Sequence, residues 1–259
     1  MSTTSRSRLA LVLGTIPFVV VLIAWLVVSE GGFVPAYYLP PPGSTADYVL
    51  AAALDGTLAA NILASLLRLA GGFLIGNAIA IPLGILIAMS AQVSQTLRPT
   101  LSFLQAIAGV AWVPLAIIWF GIGNGAVVFV IANTIFFSTI YSVVLGVESI
   151  PPVLLRASRS LGASRLQLLS SVIIPGALVQ TIVGLRTSMA YGWRALVAGE
   201  MIAGTSGLGY MTIDAVQWYR TEVVIAGMLV IGCLWLLADR YLFVPLERRT
   251  IVTWGLSRA

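Results

Sequence analysis

Long uncharged apolar stretches alternate along this chain with short polar breaks. Residues 9–28 are twenty positions without a charge, enough for a helix to cross about 30 Å of hydrocarbon. A second apolar stretch, 61–91, is long enough to tilt, and Pro82 stands where it would kink the helix. No charge occurs over the 49 residues from 99 to 147. That is too many for one helix and right for two, with Gly121-Ile122-Gly123-Asn124-Gly125 as the hairpin between them. A fifth stretch, 172–201, contains Arg186, Arg194 and Glu200, and a sixth covers 223–244. The pattern predicts an all-α integral membrane protein of six transmembrane helices.

The breaks have their own character. Residues 30–55 are rich in turn formers and include Tyr37-Tyr38-Leu39-Pro40-Pro41-Pro42-Gly43, which reads as an interfacial loop with belt aromatics and a stiff proline run. Residues 148–171 form the largest insert that does not read as membrane. Pro151 and Pro152 suit a helix start, Leu154, Leu155 and Leu161 give one apolar stripe, and Gly162 is placed to end the helix. A short amphipathic helix on the membrane surface results, which serves either as an interfacial anchor or as a contact for a partner. The division predicted is 1–58 for the first helix and the proline-rich loop, 59–245 for a helical core containing loop 148–171, and 246–259 for a tail.

Composition sharpens this. Of the 259 residues 59% are apolar and 9% charged, with mean hydropathy +1.02, against about a quarter charged in a soluble domain. All 14 basic residues are Arg; Lys and His are absent. Without Lys no P-loop G-x-x-x-x-G-K-[ST] can be written, and no Schiff-base amine exists. Without His, and with Cys233 as the only thiol, the usual zinc sites and His-dependent nucleophile pairs are excluded. Cys233 reads as a small core residue. The net charge of +5 is scattered among apolar stretches, not gathered into a basic stripe, so nucleic acid is not an expected partner.

The arginines also orient the chain. Arg6 and Arg8 resemble a signal-peptide start, but the stretch after them is too long and Ser29-Glu30-Gly31-Gly32 has no cleavage pattern, so an anchored first helix is expected. With the N-terminus inside, Arg6, Arg8, Arg98, Arg156, Arg159, Arg165, Arg240, Arg248, Arg249 and Arg258 fall on the cytoplasmic side and only Arg220 outside, a strong positive-inside bias that also puts the C-terminus in the cytoplasm. Arg68, Arg186 and Arg194 fall within spans. Arg186, Trp193 and Glu200 are spaced by seven and lie within about 40° of one helical stripe, with Arg194 offset by about 80° from Arg186. Ionisable groups in a span face a bundle interior or an aqueous path. Arg68 is placed to pair with Glu200, so structural pairing and path lining both account for these charges. An arginine at position 194 would favour an anion. Trp112, Trp119 and Trp193 either flank the path or serve packing, and Gly71, Gly72, Gly76 and Gly84 permit close helix approach.

The insert resembles a known family. Ala157, Gly162 and Pro175 stand at the spacing of the EAA loop, E-A-A-x-x-x-G-x(9)-I-x-L-P, with Val172 and Ile174 as conservative replacements. This loop marks permease subunits of binding-protein-dependent ABC importers. Arg156 stands where the pattern has Glu, and Ser158 where it has the second Ala. Leu39-Pro40 with Pro42, Ala64-Ser65-Leu66-Leu67-Arg68, Trp112-Val113-Pro114 through Gly123, and Ala198-Gly199-Glu200-Met201 with Ser206-Gly207-Leu208-Gly209-Tyr210 are similar to the taurine, alkanesulfonate and nitrate branch. Asn124 takes a place that is acidic in that branch.

The resemblance implies a type I ABC importer (MetI-like) permease fold in a bacterial inner membrane. It implies a second copy of the chain, two ABC ATPase subunits and a periplasmic or extracellular solute-binding protein as partners. No cofactor would be bound by this chain, with ATP and Mg²⁺ held by the partner ATPase, and the chain would be no enzyme itself. Arg156, Ala157, Ser158, Arg159, Gly162 and Ala163 would form the coupling helix seated in the ATPase. Arg68, Trp112, Arg186, Trp193, Arg194 and Glu200 are candidates for the path or gate, and Gly207, Gly209, Tyr210 and Trp218 for docking of the binding protein. The expected function is import of a small anionic or zwitterionic solute by alternating access, taurine or another organosulfonate first, nitrate or another small solute next. An ion-coupled secondary transporter is the alternative from another class, but no internal repeat is found and the membrane acids, Glu200 and Asp239, lie near span ends. A membrane enzyme fits poorly, because paired carboxylates are missing within a span.

Overall fold

The computed structural model describes the backbone of residues 3–246 and the side chains from Thr15 onward. Arg248, Arg249 and Arg258 of the expected tail, and the side chains of Arg6 and Arg8, lie outside the described residues. Among those described, all regular structure is helical: α1 (Thr3–Glu30), α2 (Pro42–Leu54), α3 (Thr57–Met89), α4 (Ala91–Gln105), α5 (Val113–Phe120), α6 (Asn124–Glu148), α7 (Pro152–Ser160), α8 (Arg165–Leu168), α9 (Ile174–Ala203), α10 (Leu208–Gln217) and α11 (Thr221–Ala238). A 3₁₀ turn, Gly109–Trp112, leads into α5, and π turns at Leu169–Ile173 and Asp239–Phe243 extend α9 backward and α11 forward.

Among the described residues four helices are long and apolar enough to cross a membrane: Thr57–Met89, Asn124–Glu148, Arg165–Ala203 and Thr221–Leu246. A fifth span arises if α4 and Gly109–Phe120 count as one, although they meet at 91°. The described apolar part of α1, Thr15–Glu30, is shorter. Exposed Leu74, Ile79, Leu86, Met228 and Leu237 give these helices apolar outer faces, the form lipid requires.

Three expectations are corrected. Cys233, read as a small core residue, is exposed on α11. The chain before the 121–125 turn is not one straight span, because the helix ends at Gln105 and restarts at Gly109, where Pro114 occupies the first turn of α5 and supplies no N–H there. The 30–55 segment is not all loop: Pro42 opens a helix of 13 residues, since a proline is accepted in a first turn and the Ala-rich sequence after it favours helix. By contrast α3 runs through Pro82 without a break.

The chain forms two compact units, Met1–Ala59 with Met211–Leu229, and Ala60–Tyr210 with Val230–Ala259. In the first, the Trp25 indole donates to Pro40 O at 2.9 Å, Thr221 Oγ1 donates to Tyr37 O at 2.7 Å, and the Arg220 guanidinium lies 5.5 Å from the centre of the Tyr48 ring. The Tyr48 hydroxyl is raised above its ordinary value by burial, against the lowering effect of Arg220. Asp55 accepts from the Thr57 N–H at 2.8 Å and its hydroxyl at 2.6 Å, which hold its carboxyl below the ordinary carboxylate value.

In the second unit α6 is central. Thirteen of its 25 residues are buried, more than one amphipathic face would account for. Val127, Val130, Ile131 and Ile135 meet Leu69 of α3, Val113 and Ala116 of α5, and Leu196 of α9. Small residues allow this approach. A Cβ at Gly72 or Gly76 of α3 would stand 2.5 Å from Ile131 or 2.7 Å from Ala132 O, and one at Gly184 or Gly192 of α9 would stand 2.2 Å from Ser142 or 2.6 Å from Ile135. Gly71 is roomier, with Val128 at 3.9 Å. Thr139 of α6 donates to Asn77 Oδ1 of α3 at 2.7 Å, so the polar groups buried in this contact satisfy each other.

Candidate functional site

Three places in the second unit collect the chain's polar chemistry. The first joins α3, the start of α6, the end of α9 and the 206–209 turn. Asn61, Ser65 and Arg68 recur at helical spacing on α3. Glu200 is fully buried and Arg68 is 4% exposed, with Arg68 Nη1 to Glu200 Oε1 at 2.7 Å. The guanidinium also donates to Ser206 O at 2.6 Å, to Ser206 Oγ at 2.7 Å and, from Nε, to Asn124 Oδ1 at 2.7 Å. Glu200 further accepts from Ser65 Oγ and from the Gly209 N–H, both at 2.9 Å, while Asn61 Oδ1 accepts from the Gly207 N–H at 2.8 Å. A buried pair is tolerable only with its remaining hydrogen-bonding groups supplied in this way.

Glycine makes the turn possible. Gly207 has φ +103°, and a Cβ there would stand 2.2 Å from Glu200 Oε1. Gly207 and Gly209, both expected at the docking surface, are therefore buried against Glu200. Tyr210 and Trp218, proposed with them, are exposed.

The second place is a cavity of about 410 Å³ bordered by Arg186, Thr187, Tyr191 and Arg194 of α9 and by Trp235 and Asp239 of the last helix. Arg186 donates to both oxygens of Asp239, from Nε at 2.7 Å and from Nη2 at 2.8 Å, a bidentate geometry. The Arg194 guanidinium lies 5.7 Å from the centre of the Tyr191 ring. The seven-residue stripe thus does not border one open surface. Arg186 borders the cavity, whereas Trp193 is buried in the core beside Trp235, ring centres 6.1 Å apart, and Glu200 belongs to the network above. Trp112 is half-buried against Phe129, which also meets Trp119 and Phe120. Among the described residues the indole N–H groups of Trp112 and Trp193 have no hydrogen-bond partner.

The third place is α7. Leu155 reaches the small core of Val147, Ile150, Leu168 and Ile173, but Val153, Leu154 and Leu161 are exposed, Leu161 by 88%. Of the stripe, Leu155 therefore packs onto the rest of the unit, and Leu154 and Leu161 do not. Gly162, at φ +79°, closes the helix: its N–H donates to Arg159 O at 3.0 Å and the Ala163 N–H donates to Ser158 O at 3.1 Å, a Schellman ending. Ser164 and Gln167 cap α8 reciprocally. Arg156, Arg159 and Arg165 are exposed, and no ion pair forms on any of them among the described residues. Arg98 and Glu148 pair at the end of α6 that leads into this loop.

Sequence reasoning missed Asn61, Ser206 and Asp239 as partners. Asn61 lies seven residues before Arg68 and was open to detection by spacing. No local signal joins Asp239 to Arg186, 53 residues away.

Comparison with known proteins identifies the family and the fold. Residues 80–248 match the family described as binding-protein-dependent transport system inner membrane component. The taurine transport system permease protein TauC of Escherichia coli (strain K12) is 37% identical over 230 residues, covering 87% of this chain and 83% of the relative. The bicarbonate transport system permease protein CmpB of Synechococcus elongatus is 34% identical over 232 residues, covering 85% and 82%. In fold, a chain of the inward-facing MetNI methionine ABC transporter superposes with TM-score 0.67 at 19% identity, covering 75% of this chain and 96% of that one. The chain belongs to the binding-protein-dependent transport system inner membrane components, and is an inner-membrane permease subunit of an ABC importer with the MetI-type fold.

Proposed function

We propose that this permease carries taurine or a related organosulfonate inward, receiving it from a solute-binding protein and driven by two ATPase subunits that act on α7. The exposed, Gly162-closed α7 helix carries the reading. A helix of nine residues with Val153, Leu154 and Leu161 exposed along it and three arginines without an acidic partner around it is suited to a groove in a partner. A chain without Lys has no P-loop of its own, so ATP and Mg²⁺ reside on that partner. The likeness to the taurine permease supports the substrate. The likeness to the bicarbonate permease supports a second reading, in which the solute is a small monoanion such as bicarbonate or nitrate.

In this mechanism a second copy of the chain completes the path, since one set of helices walls only half of it. α1, α3, α4 with α5, α6, α9 and α11 make six spans, with both termini and α7 on the cytoplasmic side. Closure of the ATPases on ATP moves the Arg156 to Gly162 segments and opens the path outward; hydrolysis resets it inward. Arg186 and Arg194 border the path, and the Arg68–Glu200 network holds the outer ends of α3 and α9 together. Tyr210 and Trp218 serve the docked binding protein.

Co-expression with the cognate ATPases, affinity purification and reconstitution in vesicles test the proposal. Expected are a stable complex of two permease chains with two ATPases and ATP-dependent uptake of labelled taurine in the presence of the binding protein. Uptake by the permease chain alone, without an ATPase, would overturn it.

A further inference from the structure

We infer that the cavity between α9 and the last helix is a binding site for a small monovalent oxyanion, held by Arg194. The inference deepens the permease reading and rests on it. Two arginines border this cavity but they are not equivalent. Arg186 is neutralised by the bidentate contact with Asp239. Arg194 is exposed to the cavity, and no carboxylate lies within ion-pair distance of it among the described residues. The cavity therefore carries one net positive charge.

That charge cannot be discharged. A guanidinium does not lose its proton in a protein, and a charge two-thirds of the way along a membrane helix is expensive unless it meets water or a counter-ion. The Arg194 guanidinium carbon lies 5.7 Å from the centre of the Tyr191 ring, a cation–π contact that leaves its N–H groups to make charge-assisted bonds to an oxyanion. Thr187, one turn back on α9, adds a hydroxyl to the same wall. About 410 Å³ holds a solute of a few heavy atoms together with waters, given about 30 Å³ per water. Tyr191 also borders a second cavity of about 230 Å³ whose polar lining, Gln105, Asn133 and Ser138, is uncharged.

One net charge selects a monoanion over a dianion, and Asp239 sets that selection by cancelling Arg186. Sulfonate, bicarbonate and nitrate qualify; sulfate does not. The phosphodiester of an anionic lipid shares the chemistry, so the test separates the two sources.

Titration calorimetry on the full chain in phosphatidylcholine nanodiscs, with methanesulfonate, bicarbonate, nitrate, sulfate and choline, decides the matter. Expected is saturable binding of at least one monoanion, no competition by choline, and weaker binding of sulfate. Arg194→Gln should weaken the monoanion by about tenfold or more, the loss of one charge-assisted contact. Asp239→Asn should release Arg186 and raise sulfate affinity by a similar factor. Arg194→Gln binding like the parent, sulfate binding more tightly than every monoanion in the parent, or binding confined to phosphatidylglycerol in doped discs would each overturn the site. Loss of the site with ATP-driven uptake still coupled through α7 would leave the permease reading intact.

Discussion

Glu200→Gln is the sharpest test of what holds the first part of α3, the start of α6 and the end of α9 together. The substitution leaves volume unchanged, so no cavity is opened. It removes the charge facing Arg68, whose guanidinium is only 4% exposed, and it places an amide N–H₂ where a carboxylate oxygen now accepts. Oε1 takes the Arg68 contact and Oε2 the Gly209 N–H, with Ser65 Oγ at 2.9 Å from each, so either rotamer of glutamine sets donor against donor. Removing one partner of a buried pair costs about 3–5 kcal/mol. Arg68 keeps its contacts to Asn124 and Ser206, which puts the expected loss at the lower end, about 3 kcal/mol. Equilibrium unfolding in mixed micelles titrated with dodecyl sulfate measures it. Asn124→Asp supplies a second test in the same background. Its carboxylate would stand at the position of Oδ1, 2.7 Å from Arg68 Nε, and should return about 1–2 kcal/mol as a charge-assisted bond. A Glu200→Gln protein within about 0.5 kcal/mol of the parent, a change of surface size, would refute the buried-pair reasoning.

Gly162→Leu should cost about 1–2 kcal/mol of local backbone strain at φ +79° and disturb the end of α7, leaving ATP hydrolysis in the reconstituted complex while uptake falls; full uptake at normal ATP cost would count against α7 as the coupling element. Gly192→Leu should be destabilising by at least about 1–3 kcal/mol, read by the same unfolding titration, because even a Cβ would stand 2.6 Å from Ile135. Asp55 has a folded value lowered by its bonds from Thr57, so its contribution is complete above the unfolded value of about 4 and is lost as pH falls through the lower folded one. The difference in thermal midpoint between the parent and Asp55→Asn should therefore shrink below pH about 4, and a difference independent of pH would exclude this origin.

The features of this chain divide cleanly into local ones and non-local ones. Residues 61–91, 172–201 and 223–244 announce their helices because a membrane span must satisfy its own backbone within one segment and expose apolar side chains to lipid, conditions visible in a single stretch of sequence. Gly162 and Pro152 mark the ends of α7 for the same local reason, since a positive φ and a missing N–H are properties of one residue. Residues 99–120 read as one span, yet hydropathy alone does not register the 91° break, because both limbs and the joint between them are apolar. The burial of Gly207 and Gly209, the use of Asn124 as an acceptor for Arg68 and the neutralisation of Arg186 by Asp239 came only from the tertiary structure. Each joins residues far apart in the chain, and which face of a helix meets which neighbour is settled by packing, such as Gly184 and Gly192 letting α9 close onto α6, and not by periodicity. The arginines were countable in the sequence; which of them stands without a carboxylate depended on the fold.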